Sequence, residues 1–308
     1  MMNVFSKDIR EYINVVDVMN EIEAYHLEPQ RESEIAPDRM HVEDGERTAL
    51  LMPAFYEEYY SVKLAGVSPS NVDKGKPSVQ ATIMLYNRDT MEPLLSLDGN
   101  QITGLRTAAI SGLGMKYIAP QDASVLGIVG TGLQGWTHLE AAMAVRNIHT
   151  VYLHSRNKEK VDAFKQQIHE HYPNVTVMTK EITELVERSD IIVTATSSSS
   201  PVLPDVDCSS WTSKHITAVG SFRPDMQEIP DGILQEIQNV YVDQPAALHE
   251  SGDIIRASEL RGVDQFPTLE EVIQSEDPPA YHENVSLFKC VGGSIYDLLA
   301  TKALYKKL

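Results

Sequence analysis

Cysteine is nearly missing from this chain. Its 308 residues contain only Cys208 and Cys290, far apart and without metal or redox spacing. No disulfide framework and no thiolate centre is expected, and both thiols read as reduced, buried groups of a cytoplasmic protein. Positive charge is also scarce: 26 Lys and Arg stand against 44 Asp and Glu, a formal net charge of −18. A phosphate backbone needs clustered cations to displace its counterions, so no nucleic-acid partner is expected. No apolar run approaches the roughly 20 residues that span a bilayer, so no membrane partner is expected either. The opening "MMNVFSKDIREYI" lacks an uninterrupted apolar stretch, and no signal peptide is read there. Without secretion, the sequons at Asn174 and Asn284 carry no weight.

The ten histidines show no H-E-x-x-H or other ligand spacing. His169 and His171 lie two apart on a helical stretch and point away from each other, so no metal is expected. Neither a P-loop nor a G-x-S-x-G element occurs, which leaves NTP-driven and serine-hydrolase chemistry unsupported. No internal repeat is visible, and "SSSS", Ser197 to Ser200, is the only low-complexity patch.

What is present is alternation. From residue 123, apolar strand-like runs ("ASVLGIVG", "TVYLHS", "NVTVMT", "DIIVTATS", "HITAVGS", "VYVDQ") are interleaved with helical ones such as "LQGWTHLEAAMAVRN", "NKEKVDAFKQQIHEHY" and "EITELVERS". That order predicts a parallel sheet covered on both faces. The first 120 residues differ: "DRMHVE", "TALLMPAFYEEYYSVKLAGV", "SVQATIMLYN" and "EPLLSLDG" read as antiparallel strands, followed by a helix through "NQITGLRTAAISGLGMKYIA". The final "GSIYDLLATKALYKKL" reads as a helix that packs back on the amino-terminal domain. "QSEDPPAYHEN" reads as a proline-bearing loop.

Within "GIVGTGLQGW", Gly130, Gly132 and Gly135 form G-x-G-x-x-G between a strand and a helix, the context a dinucleotide fingerprint requires. Gly130 turns the chain, Gly132 admits the pyrophosphate, and Gly135 lets helix and strand pack, with the helix amino terminus facing the phosphates. A plain strand–helix turn without ligand is the alternative reading. About 20 residues on, where NAD sites carry an acid for the ribose, this chain has "HSRN". Ser155 and Arg156 suit a 2′-phosphate, so NADP(H) is expected in preference to NAD(H), which remains possible as a substitute. A solvated Arg156 at a helix start is the bland alternative. Beyond the ends of later strands, Thr194, Ala195, Thr196 and Ser197, then Val219, Gly220 and Ser221, are expected beside the cofactor, as are Leu133 and Gln134 of the glycine loop. Serines and threonines that merely cap loops are the alternative.

Taken together, "RMHVE", "VKLAGVSPSN", "LRTAAISGL", "GIVGTGLQG", "VGSFRPDMQE" and "GGSIYDLLA" resemble the ornithine cyclodeaminase/mu-crystallin family, in family order over nearly the whole chain. The resemblance implies an α/β fold: a Rossmann NAD(P)-binding domain at 122–293, and an α+β substrate-binding and dimerisation domain at 1–121 and 294–308. It implies a homodimer acting on small α-imino or α-amino acids. By motif, Arg39 and Lys63 match positions that hold the substrate carboxylate, Lys63 being the catalytic candidate. Arg106 matches an arginine at the junction of substrate and cofactor, with Thr107 beside it. Ser78 matches a hydroxyl close to the cofactor, while Gly293 and Asp297 sit where the family closes the nicotinamide end. Each basic residue taken singly is more often a solvated charge, and Asp297 reads equally well as a helix-start acid.

One departure is informative. Cyclodeaminases of the family carry an acid/base aspartate where this chain has Phe222, and a phenyl ring moves no proton. Asp225, three residues later, does not simply inherit that role. The expectation is therefore an NAD(P)H-dependent oxidoreductase at a C–N bond, of ketimine reductase or amino-acid dehydrogenase type. An NAD-using ornithine cyclodeaminase would be marked by ammonia release without net nicotinamide turnover. A non-catalytic, crystallin-like protein would bind NADPH and turn nothing over.

Overall fold

A computed structural model describes residues 2–4, 8–28, 31, 34–208, 211–276 and 285–308, the side chain of residue 72 excepted. Most of the proline-bearing stretch and the sequon residue Asn284 lie outside the described residues. Two compact units emerge, Met1–Arg106 with Gly292–Leu308, and Thr107–Val291. The divisions expected from sequence fell at 121/122 and 293/294. One unbroken helix, Gly99–Ile118, carries the chain through Arg106, so no loop marks the change.

The first unit contains β1 (Met2–Asn3), α1 (Val15–Leu27), β2 (Met40–Asp44), β3 (Arg47–Tyr56), β4 (Tyr59–Val67), β5 (Val79–Asn87), β6 (Pro93–Asp98) and the start of α2 (Gly99–Ile118). Its six strands run in the order β1-β6-β5-β4-β3-β2, antiparallel except for β1 beside β6. Alternation sets the faces: β4 buries Tyr59, Ser61, Lys63 and Ala65, while Tyr60, Val62 and Leu64 point the other way. On the buried side lie the terminal helix, Ser294–Tyr305, packed on β3, β4 and β5, and α1 packed on that helix. Lys302 of the terminal helix is buried between Glu21 (2.8 Å) and Glu57. The opposite side is apolar and open: Phe55, Tyr60 and Tyr86 stack at 4.4 and 5.1 Å, and Leu64, Met40 and Val42 are exposed.

Helix α1 was not anticipated. Its signal is a capping box: the Asn14 side chain accepts from Val16 and Asp17, and the Asp17 carboxylate accepts the Asn14 N–H.

The second unit contains β7 (Val125–Val129), α3 (Leu133–Val145), β8 (Thr150–His154), α4 (Lys158–His171), β9 (Thr176–Thr179), α5 (Ile182–Arg188), β10 (Ile191–Thr194), β11 (His215–Ala218), α6 (Asp231–Glu236), β12 (Asn239–Val242), α7 (Ala247–Glu250), α8 (Gly252–Arg261), α9 (Leu269–Gln274) and β13 (Ser286–Lys289). All seven strands are parallel, in the order β12-β13-β11-β10-β7-β8-β9. The order reverses between β7 and β10, and ligands of open parallel sheets bind beyond the carboxyl ends at such a switch point. Strand β13 was not foreseen, because "SLFK" offers only two apolar residues; its Lys289 is wholly buried against Asp253 (3.4 Å).

The two switch-point strands are also tied at their other ends. Asp190, just before β10, accepts the N–H groups of Ser124 and Val125, each at 2.9 Å, at the start of β7. Replacing Asp190 with Ala strands both donors and is expected to cost about 1–3 kcal/mol. A lowered urea midpoint checks this; an unchanged midpoint would show the ties to be idle.

Candidate functional site

The glycine loop of the second unit fits a dinucleotide on its own geometry. Gly130 sits at φ 108°, and a Cβ there would lie 2.4 Å from the Ala195 carbonyl oxygen, so the turn excludes a side chain. A Cβ on Gly135 would stand 2.2 Å from the Gly130 carbonyl oxygen, which is the close helix–strand approach the fingerprint demands. Gly132 is the N-cap of α3, makes no side-chain cap, and faces open space where its Cβ would be. The first N–H groups of α3 therefore keep their capacity for an anion.

That loop forms one wall of a cleft of about 490 Å³. Gly130, Thr131, Gly132, Ser155 and Arg156 line one side, and the segment Ala195–Ser198 with Ser200–Val202 lines the other. No carboxylate lines it, while Arg156 and Lys160 both do. The sequence reading missed Lys160. Asn157 caps α4 by accepting the Lys160 N–H at 3.0 Å, which fixes Lys160 one turn after Arg156; the i, i+4 spacing of the two cations was the available signal.

Not every expected residue lines this cleft. Gly130, Gly132, Ser155, Arg156, Ala195, Thr196 and Ser197 do. Leu133 is half-exposed at the start of α3, and Gln134 is part-buried with an Oε1 that finds no partner among the described residues. Thr194, Val219, Gly220 and Ser221 are buried below the surface of the cleft. Their partners explain this: Thr194 Oγ1 and the Gly220 N–H donate to Glu228, and Ser221 Oγ donates to the Met226 carbonyl. Thr107 is buried in α2. Ser78 and Gly293 belong to the first unit, at the edge of β5 and as N-cap of the terminal helix.

In the first unit, the three basic residues drawn from separate stretches do come together. Asp297, in the first turn of the terminal helix and 1% exposed, accepts from Lys63 Nζ at 3.2 and 3.3 Å and from Arg106 Nε at 3.2 Å. Thr103, one turn before Arg106 on α2, accepts a further bond from Lys63 Nζ at 2.8 Å and donates to the Gly99 carbonyl. Arg39 Nη2 donates to the Gly292 carbonyl at 2.6 Å, and a Cβ on Gly292 would collide with the Arg106 guanidinium. Burial pushes Lys63 down from 10.5 to about 8; Asp297 opposes the shift, while Arg106 and Arg39 add to it.

Two buried cations thus share one carboxylate, with Arg39 held on the Gly292 carbonyl, and Arg106 Nη1 is buried with no hydrogen-bond partner among the described residues. A planar fork with one prong used and one unfilled is suited to a carboxylate. Asp297 is therefore no mere helix-start acid: it is the counter-ion of the cluster. Thr103 was missed because a threonine inside a helix carries no motif.

Phe222 is 40% exposed, and Asp225 is a surface group paired with Arg223 at 3.0 Å. No group of three or more metal-ligating side chains occurs among the described residues, and no described helix is long and apolar enough to cross a membrane.

The sequence profile of the ornithine cyclodeaminase/mu-crystallin family matches residues 1–308. A Delta(1)-pyrroline-2-carboxylate reductase of Bacillus cereus is 35% identical over 100% of this chain and 96% of its own length. Ketimine reductase mu-crystallin of Rattus norvegicus is 34% identical over 83% and 79% of the respective chains. Among solved structures, the Delta(1)-pyrroline-2-carboxylate reductase of Thermococcus litoralis, in complex with NADH and L-proline, superposes with a TM-score of 0.90. It shares 30% identity and covers 100% and 97% of the two chains. An archaeal alanine dehydrogenase dimer with bound NAD gives 0.89 at 26% identity, covering 100% and 95%. With its fold, its glycine fingerprint and a full-length profile match in agreement, the chain belongs to the ornithine cyclodeaminase/mu-crystallin family.

Proposed function

We propose that this protein is a homodimeric, NADPH-preferring reductase of small cyclic α-imino acids. The coarser class stands on its relatives: it is an NAD(P)-dependent oxidoreductase working at the C–N bond of a small α-imino or α-amino acid. The observation that carries the reading is the surplus of buried positive charge around Asp297, with Arg106 Nη1 unfilled. A substrate carboxylate supplies the missing anion, and Arg106 and Arg39 hold it.

The reduced nicotinamide, when bound, supplies the hydride to the α-carbon. The chain supplies the rest. Lys63, held by Asp297 and Thr103, keeps a proton on Nζ that passes to the imine nitrogen as the C=N bond becomes CH–NH. A lysine lowered to about 8 gives up that proton far more readily than one at 10.5. The cyclodeaminase reading has no structural support, because neither Phe222 nor the surface-paired Asp225 is placed to act as its acid. No observation favours the non-catalytic reading.

The NADPH preference rests on Ser155, Arg156 and Lys160 in a cleft lined by no carboxylate, although the compared structures hold NADH or NAD. The dimer rests on the open apolar face of the first unit's sheet, a surface a monomer rarely leaves uncovered, and on the dimer described for the archaeal dehydrogenase.

Three outcomes are expected. For reduction, Lys63 must be protonated, so kcat/KM should fall as pH rises through about 8. The reverse oxidation needs neutral Lys63 and should rise over the same range. Lys63→Met should remove this limb and cost about a hundred- to ten-thousand-fold in kcat; a pH profile unchanged by the substitution would reject Lys63 as proton donor. Arg156→Ala should reduce the NADPH-over-NADH preference about tenfold, roughly the 1.4 kcal/mol of one charge-assisted contact. Equal preference before and after would sink the 2′-phosphate assignment. Light scattering should report a dimer at micromolar concentration, and Leu64→Glu should yield monomers; a monomeric unmodified protein contradicts the assembly.

A further inference from the structure

Glu228 is wholly buried, and none of the chemistry above uses it. It follows β11 by ten residues and reaches back beneath the segment that forms the second wall of the cleft. Oε1 accepts the Thr196 N–H and the Thr196 hydroxyl, each at 2.7 Å. Oε2 accepts the Thr194 hydroxyl at 2.8 Å and the Gly220 N–H at 2.7 Å. Four donors fill the acceptor sites of one carboxylate. The backbone of the same residue continues the job, since its carbonyl accepts the Val202 N–H at 2.8 Å, while Gln227 next to it donates to the Ser198 carbonyl at 3.3 Å.

The wall of residues 195–202 is therefore held near its start, its middle and its end by two consecutive residues. Those residues are themselves fixed from below. Asp253, wholly buried, accepts the N–H groups of Glu228 (2.8 Å) and Ile229 (3.1 Å), and Lys289 of β13 stands 3.4 Å from its other oxygen. Burial pushes the Glu228 carboxyl upward, and Lys289 with the Thr196 bonds opposes it. Such a network is costly to assemble in a protein interior and worthwhile only when every member is satisfied. Among the residues of this network, Thr196, Ser198 and Val202 line the cleft.

We propose that Glu228 is a positioning residue: it pins the second wall of the cleft in the shape that holds the dinucleotide, without touching the dinucleotide itself. This rests on the reading of that cleft as a dinucleotide site. Glutamine is the discriminating replacement. Each carboxylate oxygen faces one backbone N–H, and a backbone donor cannot rotate away as a hydroxyl can. Whichever way the amide of the introduced glutamine is turned, one N–H meets an NH₂ group.

The experiment compares the unmodified protein, Glu228→Gln and Thr194→Val. NADPH and NADH affinities are titrated by fluorescence, and amide exchange is followed without nucleotide. Glu228→Gln should weaken NADPH binding at least about tenfold, the scale of one buried donor left unmatched. It should also speed exchange selectively in residues 195–202 and raise the KM for nucleotide while the KM for the imino acid stays put. Thr194→Val removes one of the four donors from a residue outside the cleft, and should weaken NADPH binding by a smaller factor in the same direction. Unchanged affinity in both variants overturns the proposal, as does unchanged affinity in Thr194→Val alone should Glu228→Gln not fold. Faster exchange spread evenly over the chain would likewise make Glu228 a mere stabiliser and overturn it. Failure of the unmodified protein to bind either nucleotide would instead overturn the dinucleotide reading.

Discussion

One carboxylate organises the basic cluster. Asp297 draws in Lys63 from β4 and Arg106 from α2, and it is presented by the terminal helix. The first unit is therefore assembled from both ends of the chain. Removing water from two cations and an anion costs several kcal/mol per ion, and only close, well-directed pairing offsets it. The three elements must meet in one register or the cluster becomes a liability. Alternation along β4 turns Lys63 to the helix-covered side, the length of α2 brings Thr103 and Arg106 onto that side, and Gly292 is bare enough to let the guanidinium lie against the backbone.

Two buried carboxylates thus do different work in the two units. Asp297 neutralises only part of the charge around it and so leaves a demand for a further anion. Glu228 is satisfied by four donors and leaves no demand at all. The first arrangement is suited to binding, since an orphaned buried donor is costly until a ligand meets it. The second is suited to holding backbone still. Arrangements of both kinds recur where a site must be ready before its ligand arrives.

The sequence disclosed the parts whose signal is local. Alternating strands and helices after residue 123, the glycines of the fingerprint, and the missing acid at "HSRN" all depend on neighbours a few positions apart. Lys63, Arg106 and Asp297 were legible only as separate fragments, because nothing in sequence spacing states that residues 63, 106 and 297 touch. Glu228 and Asp253 carried no signal: an acid in a surface-like "PDMQEIP" run reads as solvated until four donors are seen around it. Thr194, Gly220 and Ser221 illustrate the converse. They lie at strand ends, where ligands bind, yet their groups are already spent on Glu228 and Met226. Strand β13 was hidden by its buried lysine, whose partner lies 36 residues away.

The electrostatics of the first unit also bear on how tightly binding and stability are linked. With Lys63 and Arg106 on one aspartate the cluster has excess positive charge, and Lys63 falls to about 8 chiefly through burial, with Arg106 and Arg39 adding to the shift. A group whose folded pKa lies below its unfolded one is penalised while it remains charged, so the cluster burdens the fold below about pH 8 and burdens it less above. On the proposed reading a bound carboxylate relieves that burden: it offsets the surplus and fills Arg106 Nη1. On that reading, the anion that the site recognises also strengthens the hold of Lys63 on its proton. On the same reading an imine without that carboxylate leaves Arg106 Nη1 unfilled, so the proposed selection for α-imino acids draws on the charge balance that joins β4, α2 and the terminal helix.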